Sequence, residues 1–183
     1  MSRLKFVSSG PLRPTASKVR EALFNILQSR LEGASFLDLY AGVGAVGIEA
    51  LDHGAAHVLL VEKSPAALRV LRENARSCGP AARVQQRDAV AAVRSLAGRQ
   101  FDIIFLDPPY GKGEVPRSLE ALGLACILAP QGVVVAEHHH KDLVPEACGA
   151  LHRFRREKYG ETVLSFYQVE AVDPSDTLQQ EAP

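Results

Sequence analysis

Nowhere does the sequence carry an apolar run approaching the ~20 residues of a membrane span. Its opening, Met1-Ser2-Arg3-Leu4-Lys5, lacks the hydrophobic stretch of a secretion signal, so a cytoplasmic protein is expected. Cysteine is scarce: Cys78, Cys126 and Cys148 stand far apart, with no Cys-x-x-Cys pair. Neither a disulfide framework nor a zinc site is suggested, and the three are expected to be small buried hydrophobes. No internal repeat, domain linker or Ser-His-Asp or Cys-His arrangement is identifiable from spacing. His138-His139-His140 invites a metal reading. Successive side chains on a strand point to opposite faces, however, so one site cannot easily use all three, and no metal is predicted.

Net charge is also missing, with 21 basic and 21 acidic residues, and that alone argues against a nucleic-acid partner. The distribution reverses the impression. Met1 to Leu31 holds Arg3, Lys5, Arg13, Lys18, Arg20 and Arg30 against Glu21 alone, and a second cluster is Arg153, Arg155, Arg156 and Lys158. The tail holds Glu170, Asp173, Asp176 and Glu181 with no basic residue, cancelling the sum without neutralising the patches. A solvated helix face accounts for the N-terminal cluster equally well.

What is present is an ordinary globular mix, 46% apolar and 23% charged over 183 residues. That length fits one domain, expected over residues 1–170 with a frayed acidic tail at 171–183. Val19, Leu23, Ile26 and Leu27 recur at helical spacing after Pro14-Thr15, predicting an amphipathic helix over Ser17–Leu31. Strands are predicted at Ser35–Tyr40, His57–Glu62, Ala82–Arg87, Phe101–Leu106 and Gly132–His138. Helices are predicted near Ala45–His53, Pro65–Ser77, Ala89–Ala97 and Ser118–Leu128. This alternation, with strands too continuously apolar to have a wet face, predicts a doubly wound, mostly parallel sheet covered by helices. Leu151–Lys158 and Thr162–Glu170, joined at Tyr159-Gly160-Glu161, predict an antiparallel hairpin that closes it.

The first strand runs into Asp38-Leu39-Tyr40-Ala41-Gly42-Val43-Gly44-Ala45-Val46-Gly47, a G-x-G-x-x-G pattern between strand and helix. Gly42 and Gly44 permit a tight turn and close approach to a ligand, and Gly47 permits close helix–strand packing. Glu62, at the end of the second strand, is placed to accept from ribose hydroxyls. NAD and S-adenosylmethionine both fit these features. Asp38 favours the latter, because a carboxylate there repels a pyrophosphate and attracts a cation. Asp88, with Ala89 beside it after the third strand, can accept from an adenine amino group. Asp38 and Asp88 are also suited to capping helices.

The fourth strand leads straight into Asp107-Pro108-Pro109-Tyr110, the most specific signal in the chain. Two prolines fix φ and hold the Asp107 carboxylate and Pro108 carbonyl in a rigid turn at the carboxyl end of the sheet. Such acceptors can take both N–H bonds of an exocyclic amino group and turn its otherwise delocalised lone pair toward a methyl donor. Tyr110 adds a π-face for a base.

Here the sequence resembles a known family, the bacterial small-subunit ribosomal RNA guanine-N2 methyltransferases. The resemblance lies in Arg13-Pro14-Thr15 with Val19-Arg20-Glu21-Ala22-Leu23-Phe24-Asn25, in the run from Leu37 to Ala50, in Val61-Glu62-Lys63, in Leu106–Tyr110, and in Tyr159-Gly160 with Thr162. The Arg-Pro-Thr helix discriminates, because Asp-Pro-Pro-Tyr is shared with adenine and cytosine amino methyltransferases. The resemblance implies a class I Rossmann-like methyltransferase using S-adenosyl-L-methionine, a monomer acting on 16S ribosomal RNA, with a small-subunit assembly particle as a further partner. Asp107, Pro108 and Tyr110 are then the catalytic candidates; Asp38, Gly42, Gly44, Glu62, Asp88 and Ala89 the cofactor candidates; Arg13, Thr15, Arg20, Pro109, Arg155 and Arg156 the substrate candidates. Adenine N6 or cytosine N4 methylation is the alternative, and an NAD-linked oxidoreductase or a non-catalytic nucleotide-binding module the more distant ones.

Overall fold

The computed structural model describes residues 14–169, with side chains from Ser17 onward. Helix α1 (Pro14–Leu31) precedes an alternating series: β1 (Ser35–Leu39), α2 (Ala45–Asp52), β2 (His57–Glu62), α3 (Pro65–Arg76), β3 (Ala82–Gln86), α4 (Ala89–Ser95), β4 (Phe101–Leu106), α5 (Glu114–Ala125) and β5 (Leu128–His139). Three antiparallel strands follow: β6 (Ala147–Cys148), β7 (Leu151–Tyr159) and β8 (Thr162–Val169). The eight strands form one sheet ordered β3-β2-β1-β4-β5-β8-β7-β6, parallel from β3 to β5. This is the α/β fold expected, with one refinement: β8 lies between β5 and β7, so the last described strand is not an edge.

Two apolar layers cover the sheet. On one face Val19, Leu23, Leu27 and Leu31 of α1 pack with Ile48, Leu68 and Leu71 against Phe36, Leu60, Phe105, Val135 and Phe166. On the other, Val93, Leu119 and Leu122 pack against Leu37, Val61, Ile104 and Val134. Burial on both faces is why the central strands read as unbroken apolar runs. Among the described residues no helix is long and apolar enough to cross a membrane.

Three expectations need correction. Helix α5 occupies Glu114–Ala125 and not Ser118–Leu128. Pro116 is tolerated because first-turn amides have no helical partner, and the helix ends where Cys126 turns left-handed at φ 49°. Strand β5 begins at Leu128 and not at Gly132; a register irregularity opposite Phe101–Ile103 accommodates Pro130, which cannot donate to the ladder. Of the cysteines only Cys148 is buried, while Cys126 is exposed by its place after the helix end. The short strand β6 carries too brief a pattern to have been legible. The expected tail from 171 lies outside the described residues.

Candidate active site

A cavity of about 600 Å³ opens at the carboxyl ends of β1, β2, β4 and β5, lined by Tyr40, Glu62, Lys63, Arg87, Ala89, Asp107, Pro108, Pro109, Tyr110 and Glu137, among others. Its volume lies in the ~300–1,000 Å³ range of small-molecule pockets.

The glycine loop adjoins the cavity through Tyr40 at its entry and through Glu62, which the Gly42 amide contacts, while Gly42 and Gly44 themselves do not line it. Gly42 (φ 57°) and Gly44 (φ 90°) adopt the left-handed region, which they reach without a Cβ penalty. A Cβ on Gly47 would run into Leu60 Cδ2 and Asp38 Oδ2, so this glycine lets α2 sit close to β1 and β2. The loop is held from below. Glu62 Oε2 accepts from Gly42 N at 2.8 Å and its Oε1 from Ser64 N at 2.7 Å; Asp38 Oδ2 accepts from Gly47 N at 3.0 Å. Asn74 Nδ2 donates to the Val43 carbonyl at 2.9 Å. Tyr40, a non-glycine at φ 72°, is strained at the loop entry, and its hydroxyl meets Ser118 Oγ at 2.8 Å. Burial pushes its pKa up to about 12.

The opposite wall is Asp107 to Tyr110. Tyr110 is 43% exposed, and its hydroxyl donates to Glu137 Oε1 at 3.1 Å and lies 3.4 Å from Thr162 Oγ1. The His139 ring centroid is 5.9 Å from that of Tyr110. Cross-strand pairing puts these groups together: Glu137 opposes Leu164 and His139 opposes Thr162, so all four share one face. Asp107 is exposed where it lines the cavity, with protein packed near its carboxyl group. Desolvation first, then the charges of Glu137 and Asp38, raise its pKa well above the carboxylate range. Desolvation likewise raises Glu137, against the Tyr110 hydrogen bond. Asp38, only 2% exposed, is pushed up to about 7 by burial, opposed by the Gly47 amide and reinforced by Glu62.

The fold thus brings Asp107, Pro108, Pro109, Tyr110, Glu62 and Ala89 to one cavity. Other candidates fall elsewhere. Asp38 lies beneath the loop and not on the cavity wall, because its carboxylate is committed to the Gly47 amide. Asp88 caps α4, its Oδ1 accepting from Val90 N at 3.1 Å and Ala91 N at 3.4 Å, with Lys63 Nζ 3.5 Å from Oδ2. Arg20 is paired on α2, its Nε lying 2.6 Å from Glu49 Oε2. Arg155 and Arg156 do not form one patch. Arg155 pairs with Phe166 on the α1 face, its Nε held 3.0 Å from Glu157 Oε1, whereas Arg156 pairs with Ser165 on the opposite face, beside His138. Thr15 is in the first turn of α1, and Arg13 lies outside the described residues. Asn74 and Glu137 escaped the sequence reading because no local motif marks them, and Tyr40 and Thr162 stood in motif segments without being assigned a role.

A model of the family described as Conserved hypothetical protein 95 matches residues 1–168. The chain belongs to this family. Within the family's range of relatives, the ribosomal RNA small subunit methyltransferase D of Escherichia coli is 31% identical over 95% of this chain and 88% of its own. An E. coli methyltransferase structure, yhhF, superposes with TM-score 0.77 at 32% identity, covering 88% of this chain and 89% of that one. A Thermus thermophilus 16S rRNA N2 methyltransferase, solved with AdoMet and guanosine, superposes with TM-score 0.69 at 25% identity, covering 89% of this chain and 45% of that one. The match to these relatives over most of its length makes the chain a methyltransferase.

Proposed function

We propose that this methyltransferase uses S-adenosyl-L-methionine to methylate the exocyclic N2 amino group of a guanine in small-subunit ribosomal RNA, acting as a monomer. The observation that carries the reading is the juxtaposition of Asp107–Tyr110 with Glu62 and Ala89 in one cavity rich in carboxylates. The residues fit the cofactor. Glu62 spends one lone pair of each oxygen on backbone amides and retains others for ribose hydroxyls. Asp107 and Glu137 on the wall, with Asp38 beneath it, make the site hostile to a pyrophosphate and hospitable to a cation.

Bound there, S-adenosylmethionine supplies an electrophilic methyl group on a sulfonium. The chain does the rest through placement. The Asp107 carboxylate and the Pro108 carbonyl each accept one N–H of the target amino group, which pulls its lone pair out of conjugation with the ring. Tyr110, its hydroxyl tied to Glu137, offers its ring for stacking. A cation beside Asp107 opposes the effect of its desolvation and favours the ionised, accepting form. The substrate assignment draws support from the names of the E. coli and T. thermophilus relatives. Arg155, on the same face as α1, is the phosphate contact this arrangement favours.

The test is transfer of an isotope-labelled methyl group by the purified protein to small- and large-subunit ribosomal RNA, free and assembled. Incorporation into small-subunit RNA is expected, and its absence from every small-subunit substrate contradicts the proposal.

A further inference from the structure

We propose that Glu137 makes the acceptor site specific for guanine: its second carboxylate oxygen accepts the N1–H of the base while Asp107 accepts from the neighbouring N2 amino group. This inference rests on the guanine-N2 reading and adds the residue that selects the base.

Glu137 lies near the end of β5 and lines the same cavity as Asp107, Pro108 and Tyr110. Its Oε1 is taken by the Tyr110 hydroxyl at 3.1 Å, and Thr162 Oγ1 lies 3.4 Å from that hydroxyl. Among the described residues no donor occupies Oε2. The Tyr110 anchor therefore fixes the carboxylate and leaves one oxygen for a ligand. The Glu137 charge also bears directly on Asp107, so the two carboxyl groups act at one place.

Every polar group offered at this wall by Asp107, Pro108 and Glu137 is an acceptor. Guanine is the base whose amino group has a ring N–H as its neighbour, so N2 and N1 present adjacent donors. Adenine and cytosine present an unprotonated ring nitrogen, N1 or N3, beside their amino groups. Against a second carboxylate that lone pair is repelled and leaves a buried acceptor unpaired, whereas guanine satisfies both carboxyl groups. A role for Glu137 limited to holding Tyr110 predicts no such discrimination.

The experiment compares small-subunit RNA bearing guanine at the methylated position with RNA bearing 2-aminopurine there, which keeps the N2 amino group but has an unprotonated N1. Wild-type enzyme should prefer guanine in kcat/KM by about 10- to 100-fold, the discrimination of one well-placed base contact. In Glu137→Gln, Tyr110 still binds Oε1 and turns the amide N–H toward N1, so the preference should collapse by about tenfold or more and move toward 2-aminopurine. Glu137→Asp, which keeps a carboxylate, should retain the preference at lower rate. Equal losses on both substrates in Glu137→Gln, with the ratio unchanged, overturn the inference and leave the guanine-N2 reading intact. A wild-type ratio near one overturns it without recourse to any variant. Methylation by wild type of adenine or cytosine in place of guanine overturns that reading and the inference together.

Discussion

The two walls of the cavity are built by different means. The side proposed for the cofactor is local in sequence: Tyr40 at the entry of the glycine loop and the acid ending the next strand, tied to the loop by backbone amides donating to Glu62 and Asp38. The acceptor wall is assembled from three strands far apart in the chain, with Tyr110 bonded to Glu137 and near Thr162, 27 and 52 positions away. The first is fixed by main-chain amides. The second carries side-chain carboxyl groups whose pKa desolvation raises. The contrast teaches that binding and chemistry should separate under mutation.

The largest effect should come from the acceptor wall. Asp107→Ala removes one transition-state acceptor and should lower kcat by ~10²–10³, judged from the loss of single oxyanion-hole donors, with S-adenosylhomocysteine affinity nearly intact. Asp107→Asn, which keeps a carbonyl acceptor, should retain part of the activity. Single-turnover kinetics beside calorimetric titration reads both, and matched losses of rate and affinity would merge the two walls into one.

Next is Asp38, whose folded pKa is about 7 against an ordinary 3.8 because it is buried. A carboxyl raised in this way contributes stability below pH ~4 that is lost as pH rises through the folded value. Asp38→Asn keeps an acceptor for the Gly47 amide without the charge, so it should match wild type at pH 4 and gain on the order of 3–4 kcal/mol by pH 8. Denaturant melts across that range decide it. A constant difference between the proteins at all pH values would show that charge burial is not what Asp38 costs the fold.

Glu62→Ala should weaken S-adenosylmethionine binding by about 1.5–3 kcal/mol, the value of hydrogen bonds to a charged group, with the methyl-transfer rate at saturation less affected. Unchanged affinity on titration would remove Glu62 from the cofactor wall. The smallest effect concerns phosphate. Arg155→Ala should flatten the salt dependence of RNA binding by about one unit of slope, and Arg156→Ala, on the opposite face, should leave it unchanged. Equal slopes for the two variants would show that the sheet face does not select the contact.

Sequence legibility follows the same division. The bounds of β2 and β4 match those expected, because each is a mostly buried apolar run with an acid at or just after its end. The glycine spacing located the loop, and the paired prolines located Asp107. Local patterns misled where tertiary context decided: Gly132 read as a strand start but sits within β5, and Pro116 read as outside α5 but sits in its first turn. Arg155 and Arg156 looked like one basic patch until register set them on opposite faces. Asp38 looked like a residue of the cavity wall, and the fold sets it beneath, its Oδ2 accepting from the Gly47 amide nine positions on. Glu137 gave no signal at all, since its meaning comes only from the strand pairing that brings Tyr110 and Thr162 beside it.

Guanine-N2 methylation is tested most directly by mass spectrometry of the nucleosides from small-subunit RNA after reaction with the purified protein and isotope-labelled S-adenosylmethionine. The label should appear in N2-methylguanosine. Label in N6-methyladenosine or N4-methylcytidine in its place would contradict the account.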